Sequence, residues 1–424
     1  YAIAEDYVNP RLLFAGTEFG FFFSIDGGAK WIQMKGNLPT IAIRDIAIQK
    51  QENDLVLATF GRGFYVLDNY APLRQISNET LNQNSALFPV KNALMYVRSN
   101  APFTGFQGAN FYLAPNPSYG ATFTYYLKEA PKTLKQKRQE AEREAEKRKQ
   151  PFHYPTIEEL RAETEEEASA LLFTITDADG KIARRITAPA AQGIQRVTWD
   201  FRSAPPSIPA TPPQLPAGLV LPEGATLGPQ GQLVMPGKYT VTTELRAGGT
   251  VTALPGSQTF EVTVEGRERM TAEERANLAD FQRKVSALQR SVGGAVDVAT
   301  ASKTKINLLK RSAQEAPAQN KNLVEEAKSL DQKINDILND LRGGRENSDI
   351  PTPPINARVE NIADATRLSS TRPTQTQLNQ YEYTVSRFNP VLARLQSLVD
   401  VEIPRLEKAL DAAGAPLTPG RLPQ

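Results

Sequence analysis

Four charged side chains stand near the ends of short apolar runs, where a carboxylate or a guanidinium can meet a ligand. They are Glu18 in Gly-Thr-Glu-Phe-Gly, the pair Arg44-Asp45, and Arg62 in Gly-Arg-Gly. Carboxylates so placed can serve acid–base chemistry or ionic recognition, and guanidinium groups can clamp an anion. The plainer reading of the same residues is ion pairing and turn geometry. Gly61-Arg62-Gly63 is too short for a phosphate loop, because the Lys-Ser/Thr pair and the following helix are absent. A second constellation, Ser24-Ile25-Asp26-Gly27-Gly28-Ala29-Lys30-Trp31, has the form Ser-x-Asp-x-Gly-x-x-Trp. Its chemistry is structural: Asp26 accepts hydrogen bonds from the amides of the turn it begins, Gly28 supplies a positive φ, and Trp31 is expected to anchor the next strand in the core.

Other chemistries are removed by composition. The chain of 424 residues has no cysteine and one histidine, which excludes a disulfide scaffold, a thiolate nucleophile and the paired imidazoles of most zinc sites. His153, in Pro-Phe-His-Tyr-Pro, reads as a loop residue; no Gly-x-Ser-x-Gly elbow presents a serine for it to activate. We expect no metal and no cofactor. A net charge of +2 gives no bulk field for nucleic acid, and the local basic run Lys132–Lys149 is diluted by Glu140, Glu142, Glu144 and Glu146 without interleaved aromatics. No apolar run reaches the roughly 18 residues of a membrane span.

The elements that must position these residues follow from periodicity. Up to residue 76, strands are predicted at Leu12–Ala15, Phe21–Ser24, Trp31–Met34, Ile43–Ile48, Leu55–Thr59 and Phe64–Leu67, separated by Gly, Asn and Asp turns: an antiparallel meander. From Leu87 to Gly266 looser alternation predicts strands at Thr122–Leu127, Leu171–Thr176, Lys181–Ile186, Gln195–Phe201, Lys238–Leu245 and Thr259–Val264, suited to a β-sandwich. Two segments interrupt it. The charged insertion at 129–169 is expected to be a solvated helix pair or a disordered excursion, and 204–236 a Pro-rich extended loop.

After Arg267 the period becomes helical. Thr271-Ala-Glu-Glu274 matches a capping box, and stripes follow at Phe281, Val285, Leu288 and Val292, then Leu323 to Leu341, a shorter one at Ile355, Val359 and Ile362, and Leu378 to Val399. Pro390 and Pro404 should kink or interrupt the last helix. The fold class expected is multidomain, mainly β and then α, ending in an antiparallel helical bundle. The expected divisions are 1–86, 87–267, 268–412 and an extended tail at 413–424.

The Ser24–Trp31 segment resembles the Asp-box, or BNR repeat, of sialidase-like and sortilin-like β-propellers. The surrounding Leu12-Leu13-Phe14-Ala15-Gly16-Thr17-Glu18-Phe19-Gly20, Leu38-Pro39-Thr40, Arg44-Asp45-Ile46-Ala47-Ile48 and Thr59-Phe60-Gly61-Arg62-Gly63 are similar to the closing blades of large bacterial secreted proteins, called glycosyl hydrolase BNR repeat or sortilin (VPS10) proteins. Trp199-Asp200-Phe201-Arg202 with Met235-Pro236-Gly237-Lys238-Tyr239 resembles the immunoglobulin-like domain that follows the propeller in such proteins. The resemblance implies that residues 1–86 are closing blades, 87–267 an Ig-like sandwich, and that the Asp-box residues Ser24, Asp26, Gly28 and Trp31 stabilise the turn far from the binding face. Two blades cannot close a propeller, so the chain is expected to be the C-terminal part of a longer polypeptide.

The same resemblance implies function. The expected role is that of a non-catalytic binding or scaffold protein, exported by a bacterium, which takes peptide or glycan at a propeller funnel near Glu18, Arg44, Asp45 and Arg62. The helical part is expected to serve as a docking module, for a protein partner or for self-association. The alternative is a sialidase-like glycoside hydrolase whose carboxylates lie upstream of Tyr1; Phe60 stands where many relatives carry His, against a proton-transfer role for that turn.

Overall fold

A computed structural model describes the whole chain except residues 97–113, 115, 152, 209–227, 266–269, 318–320, 345–351, 368–370 and 422–424. The expected Pro-rich loop therefore lies largely outside the described residues. The chain divides into two compact units, one of residues 1–201, 221–225 and 236–266, the other of 202–220, 226–235 and 267–424. The first is β-rich and the second helical.

The first unit opens with β1 (Ala2–Glu5), β2 (Leu13–Thr17), β3 (Gly20–Ser24) and β4 (Ile32–Gln33), an antiparallel sheet in sequence order. A three-stranded antiparallel sheet follows, β5 (Ile43–Gln49), β6 (Asp54–Thr59) and β7 (Phe64–Leu67). Alternate residues of these strands, Phe14, Phe21, Ile43, Leu55 and Leu57, meet in one core with Leu12 and Tyr70 from the flanking segments, as period-two patterning requires of the strands. Gly16 allows the two sheets to approach. A Cβ there would stand 2.8 Å from Cγ2 of Ile43, closer than carbon atoms pack. Strand β1 was not evident from the sequence.

Next come a 3₁₀ turn at Ala71–Gln75, helix α1 (Asn78–Asn82), and strands β8 (Ser85–Leu87), β9 (Ala93–Met95) and β10 (Ala121–Leu127). The charged insertion is a helix pair, α2 (Leu134–Lys147) and α3 (Ile157–Glu165). Strands β11 (Ala170–Asp177), β12 (Ile182–Pro189), β13 (Gly193–Trp199), β14 (Gly237–Ala247) and β15 (Thr250–Val264) complete the unit. They form a three-stranded sheet, β13-β10-β8, and a five-stranded one, β12-β11-β14-β15-β9, in which only the β15–β9 pair is parallel. Rings from both sheets meet edge to face: Trp199 lies 5.2 Å from Tyr239, and Phe123 lies 5.6 Å from Phe260. The short strands β8 and β9 lack a periodic signature and were missed.

In the second unit α4 (Ala272–Gln314) starts at the expected capping box, with Glu274 N donating to Thr271 Oγ1 at 3.2 Å and Thr271 N to Glu274 Oε2 at 2.8 Å. Helices α5 (Lys321–Arg342), α6 (Ile355–Arg367), α7 (Gln375–Ser397) and α8 (Ile403–Ala412) follow. Cross-helix partners retreat along one helix as they advance along the other. Lys333–Glu402 and Glu326–Arg405 show this for α5 against the final segment, and Gln282–Thr366 and Gln289–Glu360 for α4 against α6. The helices are therefore antiparallel.

Helix α7 runs through Pro390. The interruption comes before Pro404, where residues Leu398–Glu402 form a π-turn closed by Ile403 N to Leu398 O. A proline ring that clashes with the carbonyl four residues back, and has no amide to bond it, favours such a widened turn.

The described part of the tail, to Arg421, is folded back rather than extended. Gly414, at φ 66°, ends α8 in a Schellman motif: Ala415 N bonds Leu410 O and Gly414 N bonds Asp411 O, each at 3.0 Å. Ser312 Oγ then donates to Pro416 O at 2.6 Å, and Arg421 pairs with Asp411. The described flanks of the Pro-rich segment group with the helices; Ser203 N bonds Gln232 O, and Gln232 Nε2 donates to Ala363 O.

Candidate functional site

The two N-terminal sheets have chemically different ends. One is closed by the Ser24–Trp31 turn. Ser24, fully buried, donates from Oγ to Asp26 Oδ1 at 2.7 Å and accepts from Gly28 N at 2.9 Å, while Lys30 N donates to Asp26 Oδ1 at 2.9 Å. The Lys30 amide, then the Ser24 hydroxyl, hold the Asp26 carboxyl below the usual range. Gly28 has φ 94°. Trp31 departs from expectation: it is 39 % exposed and lies over the turn, where a Cβ on Gly28 would stand 3.8 Å from its Cζ2. Trp31 precedes β4, a two-residue strand at the sheet edge, and the core of these sheets is already filled by Phe14, Phe21 and Tyr70.

The same end carries a buried ionic staple. Asp6, with a fully buried side chain, accepts from Tyr70 Oη at 2.6 Å, from Arg74 Nη2 at 2.8 Å and Nε at 2.9 Å, and from the amides of Asn9 and Val8. Arg74 also donates to Asn53 in the β5–β6 turn and lies over the ring of Tyr7. Burial opposes the charge on Asp6, but Arg74, Tyr70 and the two amides outweigh it and hold the carboxyl below its ordinary value. This cluster was missed because its members lie 64 and 68 positions apart in the chain.

The opposite end gathers the four expected ligand-binding residues. Leu13 pairs with Ser24 at the Ser24–Trp31 end of β2–β3 and Thr17 with Gly20 at the far end, a separation of roughly 13 Å. Thr17 closes the far turn, its Oγ1 donating to Gly20 O at 2.9 Å and accepting from Phe19 N at 3.1 Å, so that Glu18 and Phe19 form the tip. The β6–β7 turn is built alike. Thr59 donates from Oγ1 to Gly63 O at 2.7 Å, and Phe60, Gly61 and Arg62 form its tip. Both turns lie at one end, because Gly16 packs on Ile43, and Ile43 pairs with Thr59. Arg44 and Asp45 follow at a bulge in β5, where the break in alternation leaves both side chains exposed. Its guanidinium lies 5.0 Å from the centre of the Phe60 ring.

Glu18, Arg44, Asp45 and Arg62 are all exposed. With them stand three exposed phenylalanines that sequence reasoning left unassigned as a group: Phe19 at 69 %, Phe60 at 65 % and Phe64 at 75 %. The available signal was the placement of aromatics inside Gly-flanked turns, where no core requires them. The arrangement can stack on a planar or apolar face while its charges take polar groups of a ligand. Among the described residues no group of three or more His, Asp or Glu side chains could hold a metal, and no helix is long and apolar enough to cross a membrane. His153 lies elsewhere, its Nε2 3.0 Å from Glu159 Oε2 beside the helix pair.

No family model matches the chain, and no curated protein matches it. A solved structure described as "pT26-6p" is 12 % identical with a TM-score of 0.14, over 69 % of this chain and 45 % of that one. The chain thus spans less than half the length of that structure, and the likeness carries no argument about fold or function.

Proposed function

We propose that this chain belongs to a non-catalytic binding or scaffold protein, exported by a bacterium, whose two N-terminal meander sheets are blades of a sortilin-like BNR propeller. The facing three- and five-stranded sheets are then its Ig-like domain, and the helices a docking module. Peptide or glycan is recognised at the turn end that carries Glu18, Arg44, Asp45 and Arg62. One observation supports this above the rest. Exposed charges and exposed phenylalanines converge at one end of the sheets, while the stabilising Asp-box and the Asp6–Arg74 staple occupy the other. A stability-driven surface has no use for three solvated phenylalanine rings beside arginines, whereas recognition surfaces concentrate aromatics and Arg.

The test is to probe glycan and peptide arrays with the full chain and with the Arg44→Ala/Arg62→Ala double variant. We expect a ligand class retained by the parent chain and weakened about tenfold or more by the double variant. Binding that the double variant leaves untouched, or turnover of a sialidase-type substrate, would overturn the reading.

A further inference from the structure

We infer that the α2–α3 helix pair is a self-association element, which docks on the same pair of a second copy of this chain. Neither helix buries a single side chain. Helices of 14 and 9 residues are at or below the length at which a helix holds in water without packing. Their mutual contacts are largely ionic. Arg138 of α2 bridges Glu163 of α3 at 2.6 and 3.0 Å while also pairing with Glu142 one turn along its own helix, and Leu134 N donates to Glu166. Partly exposed ion pairs contribute about 0–1 kcal/mol each, too little to replace a core.

What the pair leaves open is a groove of about 550 Å³ whose apolar lining is Leu134, Ala141, Ala145, Pro151 and Ala162. The alanines permit close approach of another helix. A small anionic ligand fits less well, because the guanidinium of Arg138 is already taken by two carboxylates.

Charge selects the occupant. The arm from Lys132 to Lys149 has eight basic side chains against four acidic, and the arm from Ile157 to Glu167 six acidic against one basic. A partner that covers both arms must carry an acidic and a basic arm side by side, and the same hairpin rotated by a two-fold axis supplies them, the 132–149 arm of one copy upon the 157–167 arm of the other. Such an isologous contact closes on itself and forms a dimer.

The experiment measures the mass of the full chain by sedimentation across a concentration series, at low and high salt. We expect a monomer–dimer equilibrium between 46.6 kDa and twice that mass, weakened by salt and weakened about tenfold or more by Ala141→Glu with Ala145→Glu on the groove floor. A pair of charge-reversed chains separates the contact from any failure to fold. One carries Lys135→Glu, Lys137→Glu and Lys147→Glu, which leaves its α2 arm with seven acidic side chains against five basic, and the other Glu158→Lys, Glu165→Lys and Glu167→Lys, which leaves its α3 arm with four basic against three acidic. Each alone should stay monomeric, and their equimolar mixture should form a heterodimer. A parent chain that is monomeric up to its solubility limit, a dimer indifferent to the groove variants, or a mixture that fails to associate would overturn the proposal.

Discussion

Asp6 shows how much one carboxylate can hold together. It collects a guanidinium, a phenol and two amides, and ties the loop after β1 to the segment after β7. Asp6→Asn would leave Arg74, whose side chain is 16 % exposed, without its charge partner, at a cost on the order of 3 kcal/mol; urea unfolding followed by fluorescence measures it. The folded carboxyl titrates below its unfolded value, so its contribution is complete above about pH 4 and fades as pH falls through the depressed folded pKa. Stability plotted against pH should therefore lose its acid-side slope in part in Asp6→Asn. At the other end, Arg44 and Phe60 pair across solvent. Phe60→Ala should leave the melting temperature nearly unchanged while weakening ligand binding, a separation calorimetry and titration can read together.

At the scale of elements, close approach and helix ends carry the argument. Gly16 lets β2 lie against Ile43 of β5, and a valine there would drive methyl groups into that side chain. Gly16→Val should cost about 1–3 kcal/mol by overpacking, seen as an earlier thermal transition of the β-rich unit. Thr271→Ala removes the hydroxyl that receives the Glu274 amide at the start of α4. That should cost about 1 kcal/mol, and hydrogen exchange should show the loss as faster fraying of the first turn of α4. The π-turn ahead of Pro404 is a sequence-encoded break, whereas Pro390 is carried inside a helix that α5 and its neighbours hold by packing at Phe388, Val391 and Leu395.

For the whole molecule, the two units have separate cores and the optical probes divide between them. Both tryptophans, Trp31 and Trp199, lie in the β-rich unit, while α4 to α8 supply most of the helix. Leu330→Ala, at a position 1 % exposed in the helical core, should destabilise that unit by about 2–5 kcal/mol. Helical circular dichroism should then fall at lower urea while tryptophan fluorescence keeps its midpoint. Coincident shifts of both signals would show one cooperative unit instead.

Local pattern determined the class of almost every long element. Period-two runs gave β5, β6, β7, β10, β11, β14 and part of β15, and a capping box with 4-3 stripes gave the helices, because side-chain direction repeats with the backbone and needs no distant partner. The turn built by Ser24, Asp26 and Gly28 was legible for the same reason, its hydrogen bonds falling within a few residues. Tertiary structure alone decided the rest: that Trp31 lies on a turn instead of in a core, that the segment after Gly414 folds back, that Asp6 finds Arg74, and that Glu18, Arg44 and Arg62 share an end with three solvated phenylalanines. Those outcomes depend on which residues meet across tens of positions of chain, and a meeting of that kind leaves no period in the sequence.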